Sequence, residues 1–286
     1  MNDKPRSVTI FTHQRPAQTA PAIETLIRLA GEAGVEVRVP APEAEKHDLE
    51  ARAGVTIGGE PGEPTDLVIA LGGDGTILTA LRKYAGTGTP VFAVNYGTIG
   101  FLATVDPDEL EEGVRHALAG GFDVMHLPVL VAETAQGEQI AVNDLSFHRR
   151  QSGRVADLAY SADGHGLGEV RCDGLVVATA AGSTGYNLAN GGPVLAWGVQ
   201  GYVVSFIAPH TPTARALVVA PDDVLEVTNR SRYEEVDLTT DGRATCAVAP
   251  EATVAIRLRR DATLLAQPLG ATFYSRLRDK FGRLSF

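Results

Sequence analysis

The sequence predicts an α/β domain followed by an all-β domain, with a terminal helix packing back on one of them. Three observations carry this. Apolar strands alternate with helical periods up to about residue 121; from about residue 122 the helical periods vanish and short apolar runs are separated by turn signals; and Phe273, Leu277 and Phe281 recur at i, i+4 and i+8. The expected boundaries are 1–121, 122–269 and a returning segment 270–286. A chain of 286 residues suits about two domains.

Residues 7–12, SVTIFT, read as the first strand. A helix over 19–33 follows, because Ala22, Ile23, Leu26, Ile27 and Ala30 recur at helical spacing. VEVRV (35–39) is a second strand, and 40–64, rich in Pro, Gly, Glu and Ala, reads as a polar excursion. The strand DLVIAL (66–71) then breaks into Gly72-Gly73-Asp74-Gly75-Thr76, followed by a helix over 77–84, the strand VFAVN (91–95), the loop YGTIGF (96–101) and the helix 107–120. Strands alternating with helices at this spacing make a parallel βαβ sheet. Beyond 122, runs such as QIAVNDLSFHR, GYVVSFIAP and TVAIRL read as strands, with Asp163-Gly164 and Asp241-Gly242 as hairpin turns.

Composition narrows the function. No apolar run approaches the roughly 18–20 residues of a membrane span, and the first residues lack the apolar segment of a signal peptide, so a cytoplasmic protein with no membrane partner is expected. A net charge of −10 argues against nucleic acid as a partner, which demands a positive surface. Two cysteines, Cys172 and Cys246, suggest neither a disulfide framework nor a zinc site. His148 with Arg149 and Arg150 reads as a solvated basic edge or a phosphate contact, His210 as a buried or corner histidine, and Trp197 as a packing residue.

The Gly72–Thr76 turn is the first segment with chemistry in it. Glycines there let the backbone take positive φ and approach a ligand closely, and amides at a helix start cradle phosphate oxygens. A carboxylate in the same loop would repel that phosphate, so Asp74 holds a magnesium ion, accepts a proton or caps the helix. The second segment is DGLVVATAAGSTGYNLANGGP (173–193), whose hydroxyls, amides and aromatic ring suit a flat polar ligand.

Together these segments resemble the NAD kinase family, of the superfamily with diacylglycerol, sphingosine and 6-phosphofructokinases. The resemblance rests on GGDGT (72–76), Asn143-Asp144 in VNDLSFHR, the 173–193 segment, APH (208–210) and DGR (241–243). It implies a Rossmann-like N-terminal domain, a β-rich, sandwich-like C-terminal domain and a final segment returning to the first. It also implies transfer of the γ-phosphoryl of ATP, with Mg²⁺, to the 2′-hydroxyl of the adenosine ribose of NAD. A homodimer or homotetramer with a site shared between subunits is implied too, and polyphosphate is an alternative donor.

By matching position, Asp74 resembles the general base, and Gly72, Gly73, Gly75 and Thr76 the phosphate loop. Asp74 and Gly75 also count among the NAD-binding residues. Asn143 and Asp144 resemble the pair holding the adenosine half of NAD; Arg171 and Asp173 line the dinucleotide; Ala181, Thr184, Gly185, Tyr186, Asn187 and Ala189 belong to the segment closing over it; and Arg154 and Arg243 are further candidates. No protein side chain is assigned to metal. The chain departs from the family pattern at Ala180, Ala181, Ala189 and Arg243, and the altered second motif leaves a catalytically weak NAD(P)-binding sensor as one alternative; a kinase of lipids or small alcohols, using the same glycine loop on a different hydroxyl, is the other.

Overall fold

The computed structural model describes residues 2–13, 15–97, 100–103, 105–150 and 154–282. Thr98 and Ile99 of the expected 96–101 loop, and the end of the expected 270–286 segment, lie outside them. The chain forms two compact units, Met1–His126 with Ala262–Phe286, and Leu127–Asp261.

In the first unit, β1 (Ser7–Thr12), α1 (Pro16–Ala33), β2 (Glu36–Val39), α2 (Ala41–His47), β3 (Val55–Ile57), β4 (Leu67–Gly72), α3 (Asp74–Lys83), β5 (Pro90–Asn95) and α4 (Leu110–Leu118) follow one another. β1 and β4 are buried along their whole length, which explains why they read as unbroken apolar runs. The helix expected from residue 19 begins at Pro16, where proline is tolerated because a first-turn N–H has no intrahelical partner. The stretch 40–64 is not merely an excursion. It holds α2, seven residues long, and the three-residue β3, both too short to display a period.

β6 (Phe122–Thr134) leads out of this unit and β17 (Thr253–Pro268) leads back. Within it the strand order is β17-β5-β4-β1-β2-β3, all parallel, with Leu264 opposite Pro90 and Val68 opposite Val91. One cluster of buried side chains, including Leu26, Ile69, Phe92, Val114 and Ala266, fills it. α6 (Phe273–Phe281) closes the described chain, its start fixed by a reciprocal cap between Thr272 and Ser275.

The second unit is β-rich. Its strands are β7 (Gly137–Ala141), β8 (Asp144–Arg149), β9 (Ala156–Ala162), β10 (His165–Cys172), β11 (Gly174–Ala178), β12 (Tyr202–Ile207), β13 (Leu217–Val219), β14 (Leu225–Asn229), β15 (Val236–Thr240) and β16 (Arg243–Val248). β10-β9-β14-β17 form one antiparallel group, and β13-β12-β11-β8-β15-β16 a separate sheet. Leu145, Phe147, Leu175 and Val177 of the second group share a core with Leu158, Val170, Val227 and Ile256 of the first. Asp163-Gly164 and Asp241-Gly242 are hairpin turns whose two residues all have positive φ, between 47° and 75°.

The expectation of strands alone fails in one place. After β11 the chain makes a 3-10 turn at Gly182–Thr184 and the short α5 (Tyr186–Ala189). Among the described residues no helix is long and apolar enough to cross a membrane.

Candidate functional site

Asp74 opens α3 directly after β4, and Gly73, with φ −83° and ψ −179°, is the cap residue. The side chain of Asp74 does not cap the helix. It accepts from the backbone N–H of Phe101 at 2.9 Å (Oδ2) and of Leu102 at 3.2 Å (Oδ1). Burial raises its proton affinity above that of an ordinary aspartate, while the two N–H groups and the positive charges of Lys280 and Arg276 oppose the rise. The carboxylate is thus more basic than a solvated one, yet held in one orientation.

The glycines work by closeness, and the expected positive φ is absent. Gly72 ends a strand, Gly73 is extended and Gly75 is helical. A methyl group on Gly73 would sit 3.2 Å from the Cα of Gly97, and one on Gly72 would sit 2.5 Å from the Thr76 hydroxyl. Only glycine lets the β4–α3 turn lie this near the turn after β5.

The second unit holds its own polar cluster on the strands of the six-stranded sheet. Alternation along β8 sends Leu145 and Phe147 into the core and Asp144, Ser146 and His148 to the opposite face. There Ser146 Oγ and Thr239 Oγ1 are 2.6 Å apart, His148 Nε2 lies 2.9 Å from Ser146 Oγ, and the ring of Tyr186 stacks on His148 at 5.7 Å. His148 is therefore half-buried under an aromatic ring, not a solvated edge, and burial lowers its proton affinity.

Asp241 organises the entrance to β8. Its carboxylate accepts from the backbone N–H of Val142, Asn143 and Asp144, at 3.2, 2.7 and 3.3 Å. Thr179, fully buried, donates to Val142 O at 2.7 Å and accepts from the N–H of Gly182 at 3.0 Å, which ties the 179–182 turn to the same segment. Among the described residues Asn143 Oδ1 is buried and meets no hydrogen-bond donor, which makes it an acceptor that a ligand N–H or O–H could satisfy.

Two family profiles match the chain: an ATP-NAD kinase N-terminal domain over residues 8–122 and an ATP-NAD kinase C-terminal domain over 142–267. An NAD kinase of Gemmatimonas aurantiaca is 33% identical over 225 residues, covering 77% of this chain and 78% of the relative. The chain belongs to the NAD kinase family. A Pseudomonas putida NAD kinase is 35% identical over 229 residues, covering 77% of each. In fold the chain is similar to yeast NADH kinase complexed with NADH, at a TM-score of 0.88 and 22% identity over 98% of this chain and 88% of that one. It is similar also to the Archaeoglobus fulgidus NAD kinase in complex with ATP, at 0.73 and 24% identity over 97% and 98%.

The other residues that the NAD kinase resemblance assigns fall into three groups. Tyr186 and Gly185 are exposed, as is Ala189, and Thr184 is half-buried; Tyr186 feels the charges of Asp144 and Asp173. Ala181 and Asn187 are buried, and the Asn187 amide donates to Ser183 O and Pro193 O, so it shapes the segment from within. Among the charged candidates, Asp173 pairs with Arg149 at 2.7 Å, Arg171 with Asp157 at 3.0 Å and Arg154 with Glu234. Arg243 is exposed on β16. His210, expected to be buried or at a corner, is exposed in the bend after β12, so it is the corner that holds, and Trp197 is buried. Burial pushes the Cys172 thiol up to about 12, which removes it as a nucleophile.

Asp144 is the most perturbed carboxylate of this unit: burial first, and the Asp241 charge second, raise it to about 7. An unfolded aspartate titrates near about 3.9, so the stability this group contributes is fully present below about pH 4 and is lost as pH rises through 7. The thermal midpoint of the wild type relative to Asp144→Asn is therefore expected to fall between about pH 4 and 7 and then level. A constant difference across that range would refute the shift.

Proposed function

We propose that the chain is an ATP-dependent NAD kinase, transferring the γ-phosphoryl of ATP to the 2′-hydroxyl of the adenosine ribose of NAD to give NADP and ADP. Membership of the family supports the reaction. The observation that carries the mechanism is the Asp74 carboxylate, fixed by two amides at the head of a helix whose first N–H groups suit phosphate.

Phosphoryl transfer passes through a loose transition state, so positioning and charge neutralisation outweigh proton removal. In this reading Asp74 orients the hydroxyl and takes its proton late, and its burial makes it a better acceptor than a solvated aspartate. Gly72, Gly73, Gly75 and Thr76 frame the phosphates. Asn143, whose buried Oδ1 meets no donor among the described residues, and Asp144 hold the adenosine half of NAD, with Tyr186 against its rings. Arg171, Asp173, Thr184, Gly185 and Ala189 line the dinucleotide, and Arg154 and Arg243 contribute through their charge.

Among the described residues, no group of three or more His, Cys, Asp or Glu side chains gathers to hold a metal ion. Mg²⁺ in this proposal travels with ATP, whose phosphates and water supply most of its ligands, and neutralises charge on the transferred group. We extend the proposal to a cytoplasmic homodimer or homotetramer whose site a neighbouring subunit completes.

The test is an assay of purified protein with ATP or polyphosphate against NAD and NADH, beside a lipid alcohol. NADP formation from ATP and NAD is the expected result. Tight NADP(H) binding without transfer would make the chain a sensor, and turnover of the lipid alcohol alone would make it a different kinase.

A further inference from the structure

We infer that Arg276, on α6, is a positioning residue for Asp74, acting through the backbone of Phe101 and Leu102. This rests on the reading of Asp74 as the acceptor of the hydroxyl proton. Arg276 is 7% exposed, and its Nη1 donates to Phe101 O at 2.8 Å and Leu102 O at 3.1 Å. Asp74 accepts from the N–H groups of the same two residues. Phe101 O and Leu102 N are the two ends of one peptide group, so a guanidinium holds its oxygen while a carboxylate holds its N–H.

The charges are aligned with that peptide's dipole, and hydrogen bonds in such a chain polarise and strengthen one another. The segment has little freedom to compensate if one end is released. A methyl group on Gly100 would already lie 2.9 Å from Asp74 Oδ1, so a small movement of the 100–102 backbone is transmitted to the carboxylate. Helix α6 is itself anchored over this segment, with the ring of Phe101 5.8 Å from Phe273 and 6.0 Å from Phe281. Burial lowers the Arg276 guanidinium to about 10, with the Asp74 charge opposing, which leaves it a cation at neutral pH.

The experiment is steady-state kinetics with ATP and NAD on the full chain, for wild type, Arg276→Met, Arg276→Lys, Asp74→Asn and the Arg276→Met/Asp74→Asn double variant. Arg276→Met is expected to lower kcat about tenfold with KM for NAD changed less than about twofold. The acid limb of its kcat profile should move to higher pH, because the cation that favours ionised Asp74 is gone. Arg276→Lys keeps the charge, so the acid limb should return and kcat recover in part. The double variant should be no slower than Asp74→Asn, since the effect passes through Asp74.

Multiplying losses in the double variant, an unmoved acid limb, or a lysine variant no better than methionine would each overturn the inference. If Arg276→Met does not fold, Arg276→Lys decides alone, by a lowered kcat at constant KM for the inference or an unchanged kcat against it. Near-normal turnover of Asp74→Asn would instead strike the Asp74 reading, and the inference with it.

Discussion

Asp74→Asn is expected to lower kcat by about two to four orders of magnitude, the usual worth of a positioned general base, with KM for NAD shifted less than about threefold. The substitution is nearly isosteric but reverses one hydrogen bond. Both carboxylate oxygens accept from backbone N–H groups, whereas an asparagine amide would turn its own NH₂ toward one of them. The loss therefore has two sources, the missing acceptor and a disturbed 101–102 segment. The pH profile separates them: removal of the base abolishes the acid limb, while mere displacement only moves it. Near-normal turnover with unchanged NAD binding would show that Asp74 is not the acceptor.

Gly182→Ala is expected to damage the second unit severely. A methyl group there would lie 2.0 Å from Asn143 O and 2.4 Å from Asn143 C, a clash of backbone with backbone that no rotamer relieves. The cost is about 3 kcal/mol, or a fall of about 6–12 °C in thermal midpoint. NAD affinity should weaken with it, because the displaced carbonyl belongs to Asn143, which the proposed function assigns to NAD. Gly185→Ala is the control. Its methyl would meet Gly182 O at 3.4 Å, an ordinary contact, and the midpoint should barely change. Equal effects of the two substitutions would refute this account.

What the sequence displayed was governed by what is local. A helix such as α1 shows its period, β4 its unbroken burial, and Asp163-Gly164 its turn, because each depends on neighbours a few residues away. α2 and β3 are too short for any period, so their stretch carries only the polar composition of an excursion. The Gly72–Thr76 turn was legible as a site, but the reason for its glycines was not, since closeness to Gly97 is a fact of the strand order. The same holds for Asp241 and Arg276. Asp241-Gly242 signals a turn, yet the Asp241 carboxylate binds amides 97 to 99 residues away, and Arg276 reaches carbonyls 174 and 175 residues away. Nothing in their own surroundings announces those partners. For Arg276 the one available hint was an arginine three residues after Phe273 in an amphipathic helix.

The division of the first unit between the two ends of the chain orders its assembly during translation. Residues through His126 leave the ribosome with the Pro90–Phe92 edge of β5 still unpaired, and its partner, Leu264–Ala266, follows only after the entire second unit has emerged. Until then the nascent parallel sheet carries an open edge that invites association with other chains. The Phe101–Leu102 carbonyls await Arg276 for still longer. The second unit is contiguous in sequence and waits for nothing downstream. A ribosome-bound chain whose residues through 261 have cleared the exit tunnel should thus display a folded second unit beside an unfinished first one.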